Sequence, residues 1–286
     1  MNESLNDIFL KENKCIFKKY KPIKKIGEGS FGKIYSVIRL RDQSVFAMKT
    51  EKINTKEKMI ESEAYTLYDL QKGFGIPKLI SYGIIKNYYI LIETLLGESL
   101  ENIFIKKESK CNIIDVCSSG IQIIDRLEWI HSNNLVYRDI KPENFLVGIK
   151  DPNVIYIIDF GLCKKYRSSK TGKHMLPKTN KNFFGNIKFS SSNVIKGKES
   201  SRRDDIISLG YMLIYFIKKG LPWDYTYKTK ITSSKLFELT YLKETNAFGN
   251  LFNGLPSEFN EFIKYATNLK FEEDLNYSYL RSILKK

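Results

Sequence analysis

Tyr137-Arg138-Asp139-Ile140-Lys141-Pro142-Glu143-Asn144-Phe145-Leu146, followed fifteen residues after Asn144 by Asp159-Phe160-Gly161, decides how the chain is read. An aspartate, a lysine two residues on and an asparagine three further share one loop. They offer a proton acceptor, a cation for phosphate and an oxygen ligand for a metal. The stretches Phe145 to Val147 and Val154 to Ile158 are short and apolar, which predicts strands that keep the loop ends rigid. Asp159 caps the second, where a carboxylate can hold Mg²⁺ against phosphate oxygens.

Upstream lies Gly27-Glu28-Gly29-Ser30-Phe31-Gly32-Lys33-Ile34, between two predicted strands. Glycines let a hairpin turn tightly and let backbone N–H groups approach phosphates. A strand follows the glycines, not a helix, so a dinucleotide-binding fold lacks its required context. Val45-Phe46-Ala47-Met48-Lys49 then ends an apolar strand with an inward cation. A buried ammonium needs a carboxylate or an anionic ligand. Glu61, on the helix that follows, is the first choice of partner, with Glu63 as the fallback.

The rest of the chain supplies the frame. Strand-like alternation recurs at 20–26, 33–39, 44–51, 79–84 and 88–92, with one helical pattern at 59–70. After Gly97 the period changes: 115–131 and 257–269 read as amphipathic helices, and 205–218 as a buried one. The expected organisation is a polar arm over 1–19, a β-rich lobe over 20–94 and a helical lobe over 95–286, an α+β bilobal fold. With 286 residues and 42% hydrophobic content, the chain can bury a sizeable core. No apolar run approaches the roughly 20 residues needed to cross a membrane. Cys15, Cys111, Cys117 and Cys163 form no CxxC pair, so neither a disulfide scaffold nor structural zinc is expected, and an intracellular setting is. Net charge is +15. Between Lys164 and Arg203 twelve basic residues face one acid, Glu199, which places 12 − 1 = +11 in that stretch. Such a field attracts an anionic partner: nucleic acid, an acidic peptide or a phosphate.

These motifs, in this order, resemble the eukaryotic protein kinase family over about Tyr20 to Ile283. Ser201-Arg202-Arg203-Asp204-Asp205, Ser208-Leu209-Gly210-Tyr211, Leu221-Pro222-Trp223 and Leu269-Lys270-Phe271-Glu272-Glu273 look like the casein kinase 1 group. So do Leu95-Leu96-Gly97, Ile60-Glu61-Ser62 and Ser192-Asn193; Tyr137, where other kinases have His, is most similar to a gamma-like branch. The resemblance implies a serine/threonine kinase using ATP and Mg²⁺ on acidic or pre-phosphorylated proteins. It implies Asp139 as catalytic base, Lys141 on the γ-phosphate, Asn144 and Asp159 on Mg²⁺, and Lys49, paired with Glu61, on the α/β-phosphates. Gly27, Gly29 and Gly32 would cover the phosphates; Ile26, Ile34, Ala47, Leu146 and Ile158 would line the adenine slot, with Leu96 at the hinge. Asp205 would brace the catalytic-loop backbone. The group's anion pocket falls on Arg138, Lys164, Lys181 and Lys188, within or beside the basic cluster, and Lys188 stands where the group has Arg.

Departures from the group keep an alternative open, a pseudokinase-like scaffold that binds nucleotide with weak or no transfer. Phe184 precedes Gly185 where the family has Thr, a side chain that would bond the catalytic Asp and Lys. Glu93 falls at the usual apolar gatekeeper, where it either pairs with Lys49 or reshapes the cleft, and Thr94 starts the hinge. Between Leu176 and Phe189 few of the group's residues remain. A monomer in cytoplasm or nucleus is expected, with no specific nucleic acid, no membrane anchor, no long regulatory tail and no terminal Cys pair for lipidation.

Overall fold

The structure, a computed structural model, describes residues 8–11, 15–29, 32–54, 58–106, 112–168, 170–179, 183, 185–224, 232–246 and 250–286. Cys111, Lys181 and Phe184 lie outside the described residues, as do Ser30 and Phe31 of the glycine loop.

Five antiparallel strands form the first half: β1 (Tyr20–Gly29), β2 (Gly32–Arg39), β3 (Val45–Lys52), β4 (Leu79–Ile85) and β5 (Tyr88–Thr94), in the order β1-β2-β3-β5-β4. Helix α2 (Met59–Leu70) follows β3. Side chains alternate along a strand, so β3 and β5 each sort their residues onto two faces. Tyr35, Val37, Met48, Ile90 and Ile92 make the core of one face. On the other, Tyr89 and Leu91 pack with Ile60 and Ala64 of α2. Ala47 stands opposite Glu93 and Lys49 opposite Leu91 across the β3–β5 ladder, so Ala47, Lys49, Leu91 and Glu93 share the α2 face. The segment before Tyr20 is less polar in effect than its composition suggests. It holds α1 (Ile8–Lys11), whose Phe9 ring meets Tyr35 and Tyr88 edge-on at 5.7 and 5.1 Å, and it buries Ile16 in the sheet core.

The second half is helical. Helix α3 (Ile113–Ser132) starts at Asn112, whose side chain accepts from Ile114 N–H, and buries Val116, Ile123, Ile124, Leu127 and Ile130. Short strands β6 (Leu135–Val136), β7 (Phe145–Val147), β8 (Ile155–Ile157) and β9 (Lys164–Lys165) pair as β6–β9 and β7–β8 and frame the loop between them. Helices α4 (Ser192–Ile195), α5 (Arg202–Lys218), α6 (Ser233–Asn246), α7 (Ser257–Asn268) and α8 (Tyr277–Ile283) complete the chain. Buried Ile206, Leu209, Met212, Leu213 and Phe216 make α5 the axis of the larger core, as its nearly continuous apolar sequence predicts. A reciprocal capping box, Ser201 with Asp204, fixes its start. The molecule is thus a β-sheet lobe joined to a helical lobe, the α+β bilobal arrangement expected. Among the described residues no helix is long and apolar enough to cross a membrane.

Candidate active site

The loop at 137–144 is held from below by α5. Asp205 accepts from Tyr137 N–H and Arg138 N–H, both at 2.8 Å, and lies 2.9 Å from His131 Nε2. Arg138 sits at φ 72°, in the left-handed region that a residue with a Cβ adopts only when its surroundings insist. The two bonds to Asp205 supply that insistence. Tyr137 adds a bond from its hydroxyl to Ile158 O at 2.6 Å, which ties the loop to the strand end before Asp159. Asp159 itself is at φ 63°.

On this base three predicted residues meet. Asp139 Oδ2 accepts from Lys141 Nζ at 2.6 Å and from Asn144 Nδ2 at 2.9 Å. Asn144 also donates to Asp139 O at 2.9 Å. Burial pushes the Asp139 carboxyl up from its ordinary value, against the pull of Lys141. Burial lowers Lys141, but Asp139 and Asp159 outweigh it and the ammonium is held above its usual range. Asp139 Oδ1 faces Gly185, where a Cβ would lie 3.9 Å from it and only 2.7 Å from Arg138 O. Gly185 is at φ 100°, so glycine is required there on both counts.

Lys49 reaches the same region from the sheet. Its Nζ lies 2.6 Å from Glu63 Oε1 and 3.1 Å from Glu93 Oε1. The expected partner, Glu61, is elsewhere: it is 3.8 Å from Lys58, on a more exposed face of α2. The reason is helical geometry. Glu63 shares the buried side of α2 with Ile60 and Leu67, and a residue two positions earlier points about 200° away. Of the two outcomes open for Glu93, the ion pair is the one observed. One ammonium thus serves two carboxylates, with Asp159 acting on it from further off. Burial works against the Lys49 charge, but Glu63, Glu93 and Asp159 together keep it protonated well above the ordinary range. Glu63 is pushed up to about 7, because burial outweighs its share of that ammonium. Glu93 Oε2 is buried with no hydrogen-bond partner. Glu63 Oε1 also accepts from Phe160 N–H at 3.3 Å, which couples α2 to the Asp159-Phe160-Gly161 turn.

Among the glycines, Gly27 pairs with Ile34 across β1–β2, and a Cβ on Gly32 would collide with Thr50 O at 1.6 Å. At Gly29 nothing lies within 4 Å of that position, so the hairpin tip is open there. Ala47 is buried; Ile34, Leu96, Leu146 and Ile158 are half-buried and Ile26 is exposed. Gly97 N–H donates to Val147 O at 2.8 Å and Val147 N–H to Glu98 O at 2.9 Å, so the segment at Leu96 is stitched to β7. Asp159 and Asn144 are hard oxygen donors of the kind that Mg²⁺ takes, and Asp159 acts electrostatically on Lys49, Asp139 and Lys141. The donor set therefore fits a magnesium-bound triphosphate.

The anion residues divide. Arg138 and Lys164 line a cleft of about 430 Å³ together with Lys198, Ser190 and Ser200, and with the carboxylates of Glu199, Asp204 and Asp205. Arg138 Nε donates to Leu162 O at 2.6 Å and Lys164 pairs with Glu199 at 2.9 Å. Lys188 is not part of this cleft. The turn at 187–189 carries its ammonium away, to 3.5 Å above the Tyr215 ring and 3.3 Å from Asp224. Lys198, in the basic cluster but not singled out from the sequence, lines the cleft instead. A second residue that sequence reading missed is Lys243, which is buried; its place on the Leu236–Leu239 stripe of α6 was the available signal.

One family model, Protein kinase domain, matches residues 20–278. That span runs from β1 into α8 and takes in the glycine hairpin, Lys49, the 137–144 loop, Asp159 and α5. The match takes in nearly the whole chain, which therefore belongs to the protein kinase family.

Proposed function

We propose that this protein kinase is a serine/threonine kinase of casein kinase 1 type, of the gamma-like branch, acting on acidic or pre-phosphorylated proteins. The observation that carries the reading is Asp139: its Oδ2 is occupied by Lys141 and Asn144 while Oδ1 faces the Gly185 segment. Oδ1 is the atom that takes the proton of an acceptor hydroxyl. Lys141, bonded to that carboxylate, also offers its charge to the phosphoryl group in transit. Asn144 and Asp159 would hold Mg²⁺, and Lys49, steadied by Glu63, the α/β-phosphates. When bound, magnesium ATP supplies the phosphoryl group and neutralises charge on its oxygens. The hairpin around Gly27, Gly29 and Gly32 would cover the phosphates; Ile26, Ile34, Ala47, Leu146 and Ile158 would receive the adenine, with Leu96 at the hinge. Preference for acidic or primed targets is supported by the basic stretch 164–203 as a whole; the cleft itself sets Arg138, Lys164 and Lys198 beside Glu199, Asp204 and Asp205.

A second reading, a nucleotide-binding scaffold with weak transfer, is favoured by one observation: Glu93 is paired with Lys49, the ammonium that the phosphates would need. The test is transfer from labelled ATP to primed, acidic and neutral serine peptides. Transfer that is strongest on the primed peptide and lost in Asp139→Asn supports the first reading. Nucleotide binding with no incorporation into any peptide supports the second.

A further inference from the structure

Lys243 is 1% exposed, on α6, and forms no ion pair among the described residues. Its three ammonium protons instead find three backbone acceptors: Ile187 O at 3.2 Å, Lys188 O at 2.9 Å and Ser190 O at 2.6 Å. The rings of Trp223 and Tyr211 flank it, with centroids at 4.8 and 5.0 Å. Burying a lysine is costly unless every donor is used, so a side chain placed this way is holding something. What it holds is the turn that follows Gly185. Trp223 Nε1 donates to the same Lys188 O at 2.9 Å, and Ser191 Oγ donates to Asp204 at 2.6 Å, so the turn is pinned from α6, from the 221–224 segment and from α5. At its other end Gly185 rests against Arg138 O and faces Asp139 Oδ1.

We propose that Lys243 is a positioning residue for the peptide substrate: its ammonium fixes the height of the 187–190 turn, so that an acceptor hydroxyl lying on that segment meets Asp139. The proposal rests on the reading of Asp139 as base. Lys243 touches neither nucleotide nor the reacting atoms; it acts through three carbonyls. Holding the turn takes the protonated form, because a neutral amine has two N–H donors for three acceptors and turns a lone pair toward the third. Desolvation lowers the Lys243 pKa well below its usual value, and Asp224, the one carboxylate that acts on it among the described residues, opposes this only from a distance while bound to Lys188. The other titratable groups around it are Tyr211 of α5, Lys188 of the turn, and Glu244, which is engaged with Lys196.

The experiment compares the full chain with Lys243→Met, which keeps the length and apolar packing of the side chain and removes the charge. Peptide KM is measured with an acidic serine peptide, magnesium ATP affinity by titration, and turn stability by hydrogen exchange of amides 187–191. In Lys243→Met, peptide KM rises about tenfold or more, ATP affinity is unchanged and exchange at 187–191 quickens. With rising pH the wild-type peptide KM climbs as the ammonium is lost, at a pH well below the ordinary lysine range, while the methionine variant stays flat there. A variant with wild-type peptide KM, one that keeps the wild-type rise with pH, or one that loses ATP and peptide affinity alike would overturn the proposal. A wild-type chain that transfers no phosphate would overturn the reading of Asp139 instead, and exchange at 187–191 would then decide alone whether Lys243 holds the turn.

Discussion

Replacing Asp205 by asparagine changes one atom and should disable the loop above it. The carboxylate takes Tyr137 N–H, Arg138 N–H and the His131 ring on two oxygens. Asparagine keeps one oxygen and turns an NH2 toward the other amide, so a charge-assisted bond, worth about 1.5–3 kcal/mol, becomes a buried donor facing a donor, which costs about 1–3 kcal/mol more. The sum is about 2.5–6 kcal/mol, which brackets the range for breaking a buried charged contact. For a chain of this size that lowers Tm by roughly 4–10 °C. The effect on rate is separate. Arg138 is held at φ 72°, a conformation that stores about 1–3 kcal/mol, and losing one of two clamps lets it relax. A shift of about 1 Å at Asp139 then costs about 100-fold in kcat, with ATP affinity unchanged. Calorimetry, and peptide phosphorylation well below the lowered Tm, measure both quantities. A variant that melts within about 2 °C of wild type and turns over at full rate would refute the account of how the loop is held.

Three further outcomes follow from the same geometry. Glu93→Met removes a buried carboxylate oxygen with no partner and leaves Lys49 with Glu63 alone; Tm should rise by a few degrees, about 1 kcal/mol, and a fall on melting would count against it. Glu63 holds a proton in the folded state that the unfolded chain gives up between pH 4.5 and about 7. Folding stability from this group is therefore full at low pH and declines as pH rises through that window, by up to about 3 kcal/mol; the difference between wild type and Glu63→Gln in denaturant midpoints should shrink accordingly from pH 4.5 to 7, and a difference that grows would reverse the sign. Arg202→Met cuts bonds to Asp274 at 2.5 Å and to Glu272 O and Glu273 O at 2.9 and 3.1 Å; a loss of about 3 kcal/mol in urea unfolding is expected, and proteolysis should find the 269–276 segment first.

Much of this was readable from residue order alone, for identifiable reasons. The sheet and the helices α2, α3, α5 and α7 carry strong periods, and the 137–161 motifs have spacings that short strands enforce. Helix α6 escaped notice because its outward face shows Phe237 and Tyr241 while its inward stripe includes a lysine, which blurs any apolar period. Helix α8 is short, and its Asn276 cap is its clearest mark. The choice between Glu61 and Glu63 depended on which side of α2 meets β5, and that is decided by tertiary packing. Lys188 stands apart from the cleft of Arg138 and Lys164 because a turn in the chain, invisible in composition, reverses its direction.

The unpaired oxygen of Glu93 has a consequence for pharmacology. Compounds built to fill an oily recess beside Lys49 would press an aryl ring onto a carboxylate here and lose affinity. Scaffolds bearing a primary amine or amidine at that position would gain a counter-ion in the oxygen that nothing else engages.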